Sequence, residues 1–181
     1  AYAVGDLMTL SNLLSGLISS IVSSTAISLT VSLLVLATLT RRLGQSLLVI
    51  LPVGLAGSWV VGSMALLGIN WNVLTIMITA LTIGLGIDYS IHVWRRFESN
   101  RSSGMAIWPA MKDMYAHTGS ALLMSAGTTI CGFMVLLLSP IPVIRDFGVV
   151  SSISVAFSLI LALLVLPGLL AAEVRTNGNG S

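Results

Sequence analysis

The sequence predicts an all-α protein: a polytopic membrane helix bundle of five transmembrane helices with two interfacial amphipathic helices. Three observations carry that prediction. Hydrophobic residues make up 56% of the 181 and charged residues only 8%. Mean hydropathy is +1.03, and the apolar residues gather into five runs, each long enough to cross a bilayer. A soluble domain carries about a quarter charged residues, so a water-facing surface cannot be built from this composition and lipid must be the main solvent.

The elements follow in chain order. Residues 6–21 place Leu10, Leu13, Leu14, Leu17, Ile18 and Ile21 at helical spacing, with Asp6 available as a cap. This stretch reads as an amphipathic helix on the outer face that feeds the first span. A helical crossing takes about 20 residues, and the five runs fall near 21–40, 46–68, 72–94, 118–138 and 148–170. Arg41 and Arg42 stop the first, where Ser24, Ser28 and Ser32 at four-residue spacing suggest small-residue packing. Asn70-Trp71-Asn72 separates the second from the third. Trp94-Arg95-Arg96 closes the third, Pro140 and Pro142 break the chain after the fourth, and Glu173 and Arg175 follow the fifth. Trp71 and Trp94 sit where aromatic rings favour the membrane interface. Residues 104–117 mix Met105, Ile107, Trp108, Met111 and Met114 with Lys112 and Asp113, the pattern of a short helix at the cytoplasmic surface. A membrane domain thus covers 21–172, after an outer segment 1–20 and before a polar tail 173–181 that reads as disordered.

Charge sets the orientation. With an outside N-terminus, seven basic residues (Arg41, Arg42, Arg95, Arg96, Arg101, Lys112, Arg175) lie on the inner side and Arg145 alone on the outer side. The positive-inside rule therefore favours an outside N-terminus and a cytoplasmic C-terminus in the cell membrane.

Several function classes fall away. Cys131 is the one cysteine, which excludes a disulfide framework or a thiolate metal site within the chain. The net charge of +2 does not point to nucleic acid. No phosphate-cradling loop is present, and nothing in the chain points to an enzyme, a cofactor or a metal. No basic n-region or cleavage site precedes the first apolar run, so with Ala1 first the reading is of a fragment or a processed product.

One residue asks for an explanation. Of six acidic residues, only Asp88 falls inside a span. Seven positions before Arg95, it lies about 10 Å from the inner interface, too deep for a short side chain to reach bulk water. An ionised carboxylate in lipid is costly and faces a protein interior or a water-filled path. Leu81, Gly84 and His92 share its helix face, and Tyr89 adds a hydroxyl. Gly84 and Gly86 clear side chains for a close helix approach. His92 has a suitable intrinsic pKa for a proton relay, although a structural histidine is an equal reading. On the fourth span Ser125, Thr128 and Thr129 lie about two turns from the cytoplasmic end. Ser125 is nearly level with Asp88, placed either to hydrogen-bond it or simply to pack helices. The string Gly84-Leu85-Gly86-Ile87-Asp88 approaches the GxGD pattern of intramembrane aspartyl proteases. It is one residue too long, and no other span supplies the second carboxylate such chemistry needs.

At this point the residues carry a family resemblance. The run GLGIDYSIHVWRRFE (84–98) resembles the GxGxDYxIHxxxRFxE signature of RND-superfamily exporters, above all the MmpL-like and archaeal or hopanoid-type branch, which is related to sterol-sensing-domain proteins. TGSALLMSAGTTICGFMVLLLSPIP (118–142) and DFGVVSSISVAFSLILALLVLPGLL (146–170) resemble the next spans of the same pattern. The resemblance implies that Asp88 carries protons with Tyr89 beside it, that Thr128 and Thr129 lie on the facing relay helix, and that Gly84 and Gly86 sit at a contact between pseudo-symmetric helices. It implies a secondary exporter in which proton movement drives an extracytoplasmic porter domain handling hydrophobic or amphipathic substrates. The chain corresponds to the last five spans of one half, by its polar tail the C-terminal half, with residues 1–20 as the end of the porter domain. A complete relay would then need a second half or a homo-oligomer. Two other expectations stand beside it: a sterol-sensing-type lipid-binding or regulatory module without transport, and a non-functional fragment.

Overall fold

The computed structural model describes residues 16, 19, 23, 26–38, 43–69 and 72–178, without the side chains of 43, 73, 75, 76 and 175–178. Apart from residues 16 and 19, the amphipathic helix expected over 6–21 lies outside these residues, as do Arg41, Arg42, Asn70 and Trp71. Every regular element described is helical: α1 (Ala26–Thr38), α2 (Leu43–Leu67), α3 (Val73–Ser102), α4 (Ile107–Met114), a π turn (Tyr115–Gly119), α5 (Ser120–Val135), a 3-10 turn (Leu136–Leu138) and α6 (Pro142–Gly178). The all-α membrane bundle is therefore what the chain forms. Four helical runs are long and apolar enough to cross a membrane, and α1 is the described part of a fifth apolar stretch.

Two helices overrun their expected spans. α3 has 30 residues, about 45 Å at 1.5 Å per residue, against about 30 Å of hydrocarbon. Its last turns, from Trp94 onward, therefore stand outside the apolar layer. It ends where Gly104 takes φ +85° and Met105 N–H returns to Asn100 O at 3.2 Å, a left-handed cap that a side chain would strain. α6 continues to Gly178. The stretch 173–178, expected as disordered tail, is helix, because Ala171-Ala172-Glu173-Val174-Arg175 contains no breaker before Asn177-Gly178.

The segment expected as a separate surface helix is instead joined to the fourth span. α4, the π turn and α5 form one helical run, with neither proline nor left-handed glycine between them. Ala110 and Met114 of α4 are buried in a cluster with Val93, Trp94 and Phe97 of α3 and Leu163, Leu166 and Leu170 of α6.

α6 is the central element, in contact with α2, α3 and α5. Of its apolar window 56% is buried, against 11% for the run containing α5, so α5 has the most surface left for lipid or partners. Helices in lipid gain little from hydrophobicity and associate through close packing. The tightest glycine contact among the described residues is at Gly148, where a Cβ would lie 2.7 Å from Phe133 O and 2.9 Å from Leu136 Cβ. Aromatic edges flank the packing: Phe133 meets Phe147 at 6.0 Å and Trp59 meets Phe157 at 5.2 Å between ring centroids.

Gly148→Ala should therefore push α5 off α6. A destabilisation of about 2 kcal/mol is expected in reversible unfolding in mixed micelles. Gly127→Ala, where the added carbon meets nothing within 4 Å, should change stability by less than about 0.5 kcal/mol.

Candidate functional site

α3 has two unlike faces. On one, Gly84, Asp88, His92 and Arg95 are exposed in this chain at three- and four-residue steps. Asp88 makes no hydrogen bond or ion pair among the described residues. On the other, Thr82, Gly86, Tyr89, Ser90 and Val93 are buried. Consecutive residues of a helix differ by about 100° in direction. Asp88 and Tyr89 therefore diverge: the carboxylate leaves the bundle while the phenol enters the cluster of Val93, Leu159 and Ala162.

The two glycines before Asp88 also divide. A Cβ on Gly86 would meet Val53 Cγ1 at 3.3 Å and Ser158 Oγ at 3.5 Å, so Gly86 lies at a helix contact within the chain. Around Gly84 nothing comes within 4 Å of an added Cβ. Ser125 and Thr128 are exposed and Thr129 is half-buried. Both threonine hydroxyls donate to Ser125 O on their own helix, at 2.8 and 2.9 Å. No described hydrogen bond joins Ser125, Thr128 or Thr129 to Asp88, Tyr89 or His92. Among the described residues, Asp88 and His92 on α3 and Ser125 and Thr128 on α5 thus face outward, and no hydrogen bond joins the two sets.

Two arrangements escaped the sequence reading. The first is a polar seam between α3 and α6. Thr82 and Ser154 share a hydrogen bond of 2.6 Å, and Thr82 also donates to Ile78 O at 2.7 Å. Ser90, Ser151 and Ser158 are buried nearby, their hydroxyls without a hydrogen-bond partner in the structure. The signal was present: Thr82, Gly86 and Ser90 repeat every fourth residue, as do Ser154 and Ser158. The second is a clamp between the end of α3 and α4. Arg96 donates through Nε to Asp113 Oδ2 at 2.8 Å, with its terminal nitrogen also 2.8 Å from that oxygen. Asn100 donates to the same oxygen at 2.8 Å and to Ala110 O at 3.1 Å, and His117 lies 3.1 Å from Asp113 Oδ1. No sequence periodicity links Arg96 to a carboxylate seventeen residues on.

Comparison with known proteins agrees with this architecture. The family model described as the MMPL family matches residues 1–177. The protein MJ1562 of Methanocaldococcus jannaschii is 37% identical over 131 residues, which is 72% of this chain and 34% of that protein. Protein patched homolog 1 of Danio rerio is 28% identical over 132 residues, 68% of this chain and 11% of the relative. Protein patched homolog 2 of Homo sapiens is 28% identical over 127 residues, 70% and 10% respectively. The chain thus spans about a third of the archaeal relative and about a tenth of each Patched homologue.

Two outcomes are expected from the missed features. Thr82→Val keeps the shape but removes the bond to Ser154, and should destabilise the α3–α6 contact by about 0.6–2 kcal/mol in the same unfolding assay. The Asp113 carboxyl is held below the usual carboxylate range, first by the Arg96 hydrogen bond and then by that of Asn100. A lowered native pKa means that the clamp contributes fully above the unfolded value of about 3.9 and is lost as pH falls through the native value beneath it. Protection factors of α4 amides should accordingly stay level from neutral pH to about 4 and drop below that. Asp113→Asn should lower them at neutral pH and remove the acid step.

Proposed function

The chain belongs to the MMPL family and is an RND-superfamily membrane module, and from that premise we propose that it forms the membrane-domain part of a proton-driven exporter of hydrophobic or amphipathic substrates. Asp88 carries the proton. One observation supports this most: Asp88 stands with Gly84 and His92 on the face of α3 that the described residues leave exposed, while Thr82, Gly86, Tyr89, Ser90 and Val93 on the opposite face are buried. A carboxylate is not left against hydrocarbon, so this face is built for a second helix or a wet path between halves. Gly84 gives that neighbour a smooth surface, and Ser125 and Thr128 are equally open on α5.

In this reading the complete site forms between this module and a second half or a second copy. Asp88 is neutral when protonated and can then pack in a dry contact. When it ionises it needs water or donors, and that alternation biases two helix arrangements. Tyr89 holds the helix in register from the core side, and His92 stands one turn nearer the basic end as a relay accessory. The N-terminus is placed outside the cell membrane and the C-terminus in the cytoplasm, as the charge distribution favours. A sterol-sensing-type lipid-binding or regulatory module without transport is the second reading, and the likeness to the Patched homologues favours it.

Asp88→Asn separates the two. In proteoliposomes of the assembled transporter it should abolish proton-coupled efflux while the amount of inserted protein is unchanged. Efflux at the original rate would sink the proton role, and lipid-dependent partner binding that survives the substitution in a protein without efflux would favour the regulatory reading.

A further inference from the structure

Pro167 lies inside α6 and has no N–H to give the carbonyl four residues earlier, that of Leu163. A carbonyl freed in this way must find another donor where water is scarce. It finds Tyr115, whose hydroxyl donates to Leu163 O at 2.8 Å. Tyr115 opens the π turn between α4 and α5, and such turns often mark functional positions in helices. The bond ties α4 to α6 at one point, and beside it the two helices bound a groove of about 950 Å³.

The lining is ordered on both sides. Trp108 and Lys112 of α4 and Tyr115 of the π turn fall at steps of four and three, and Leu164, Pro167 and Gly168 at steps of three and one on α6, so each set forms one helix face. Trp108 is 72% exposed and Leu164 68%, leaving large apolar surfaces open along the groove. Its charge is of one sign. Lys112 is the sole ionisable group of the lining besides the Tyr115 phenol, and its ammonium makes no ion pair or hydrogen bond among the described residues. The adjacent Asp113 is turned to α3, engaged by Arg96, Asn100 and His117.

We propose that this groove holds an anionic phospholipid, with its phosphate on the Lys112 ammonium and an acyl chain along Leu164 and Gly168. Charge selects the occupant: an unpaired ammonium beside apolar walls fits a lipid with a net negative headgroup, and basic pockets between membrane helices recognise such headgroups. Tryptophan and tyrosine at the mouth suit headgroup depth, and the lysine stem can lie on apolar surface while its head reaches the phosphate. The site is separate from Asp88 and does not depend on proton transport.

Native mass spectrometry of the full chain in micelles tests it, with dioleoyl phosphatidylglycerol and dioleoyl phosphatidylcholine as competing probes. The wild type should retain phosphatidylglycerol in preference. Lys112→Gln should weaken that retention about fivefold and leave phosphatidylcholine unchanged, while Lys112→Arg keeps the preference. Arg95→Gln, removing an exposed basic residue outside the groove, should have no effect. Equal retention of the two lipids by the wild type, undiminished phosphatidylglycerol retention by Lys112→Gln, or an equal loss in Arg95→Gln would each overturn the proposal.

Discussion

Hydrocarbon supplies no hydrogen bonds, and the described membrane helices answer to that constraint. The described regular elements are helices because a helix satisfies its own backbone. Where the ladder is interrupted, the protein must supply the missing partner. At Pro167 it does so with the Tyr115 hydroxyl on Leu163 O. That bond holds Tyr115 at the start of the π turn between α4 and α5. The same constraint accounts for the seam between α3 and α6, where the Thr82 hydroxyl meets both Ser154 and the carbonyl of Ile78.

Because lipid is as apolar as leucine, hydrophobicity alone does not decide which helices pack together. Contact shape decides. α6 is central because small residues let its neighbours come close: Gly148 under Phe133 O, and Ser154 and Ser158 opposite Thr82 and Gly86. α5 buries little of itself, and its hydroxyls on Thr128 and Thr129 bond back to their own helix. A helix that keeps its polar groups on an open face and closes their hydrogen bonds locally can meet lipid or a partner without an unsatisfied donor.

The physics also sets what was legible in the sequence. Among the described residues the membrane helices were legible, since long apolar runs broken by Arg95-Arg96 and Pro140-Ile141-Pro142 admit few alternatives. Helix ends were less so: α3 runs past Trp94 because nothing halts a helix there until Gly104, and α6 runs past Glu173 for the same reason. That Asp88 asks for an explanation follows from its cost in lipid, which needs no structure to see. Its direction does. Residues 88 and 89 are neighbours in the motif and point to different sides of α3, so the motif is a seam between two surfaces and not a cluster. The clamp of Arg96 on Asp113 was hidden because two helices must fold back on one another before those residues meet.

That division of α3 bears on what covers Asp88. Were the exposed face meant for lipid, aliphatic side chains would serve, as they do at Leu123, Met124 and Leu164 elsewhere on the surface. Instead it carries a glycine, a carboxylate and an imidazole at four-residue steps, a stripe that costs energy in hydrocarbon at each polar position. Glycine contributes nothing to lipid contact but lowers the separation at which another helix can approach. The combination is economical only against protein or confined water. The packed side of α3, held by Gly86 on Val53 and by Thr82 on Ser154, then acts as the rigid support from which the open side is presented. On the proposed transport reading, protonation of Asp88 would alter the cost of that open contact while leaving the support untouched, as a proton that moves one module against another requires.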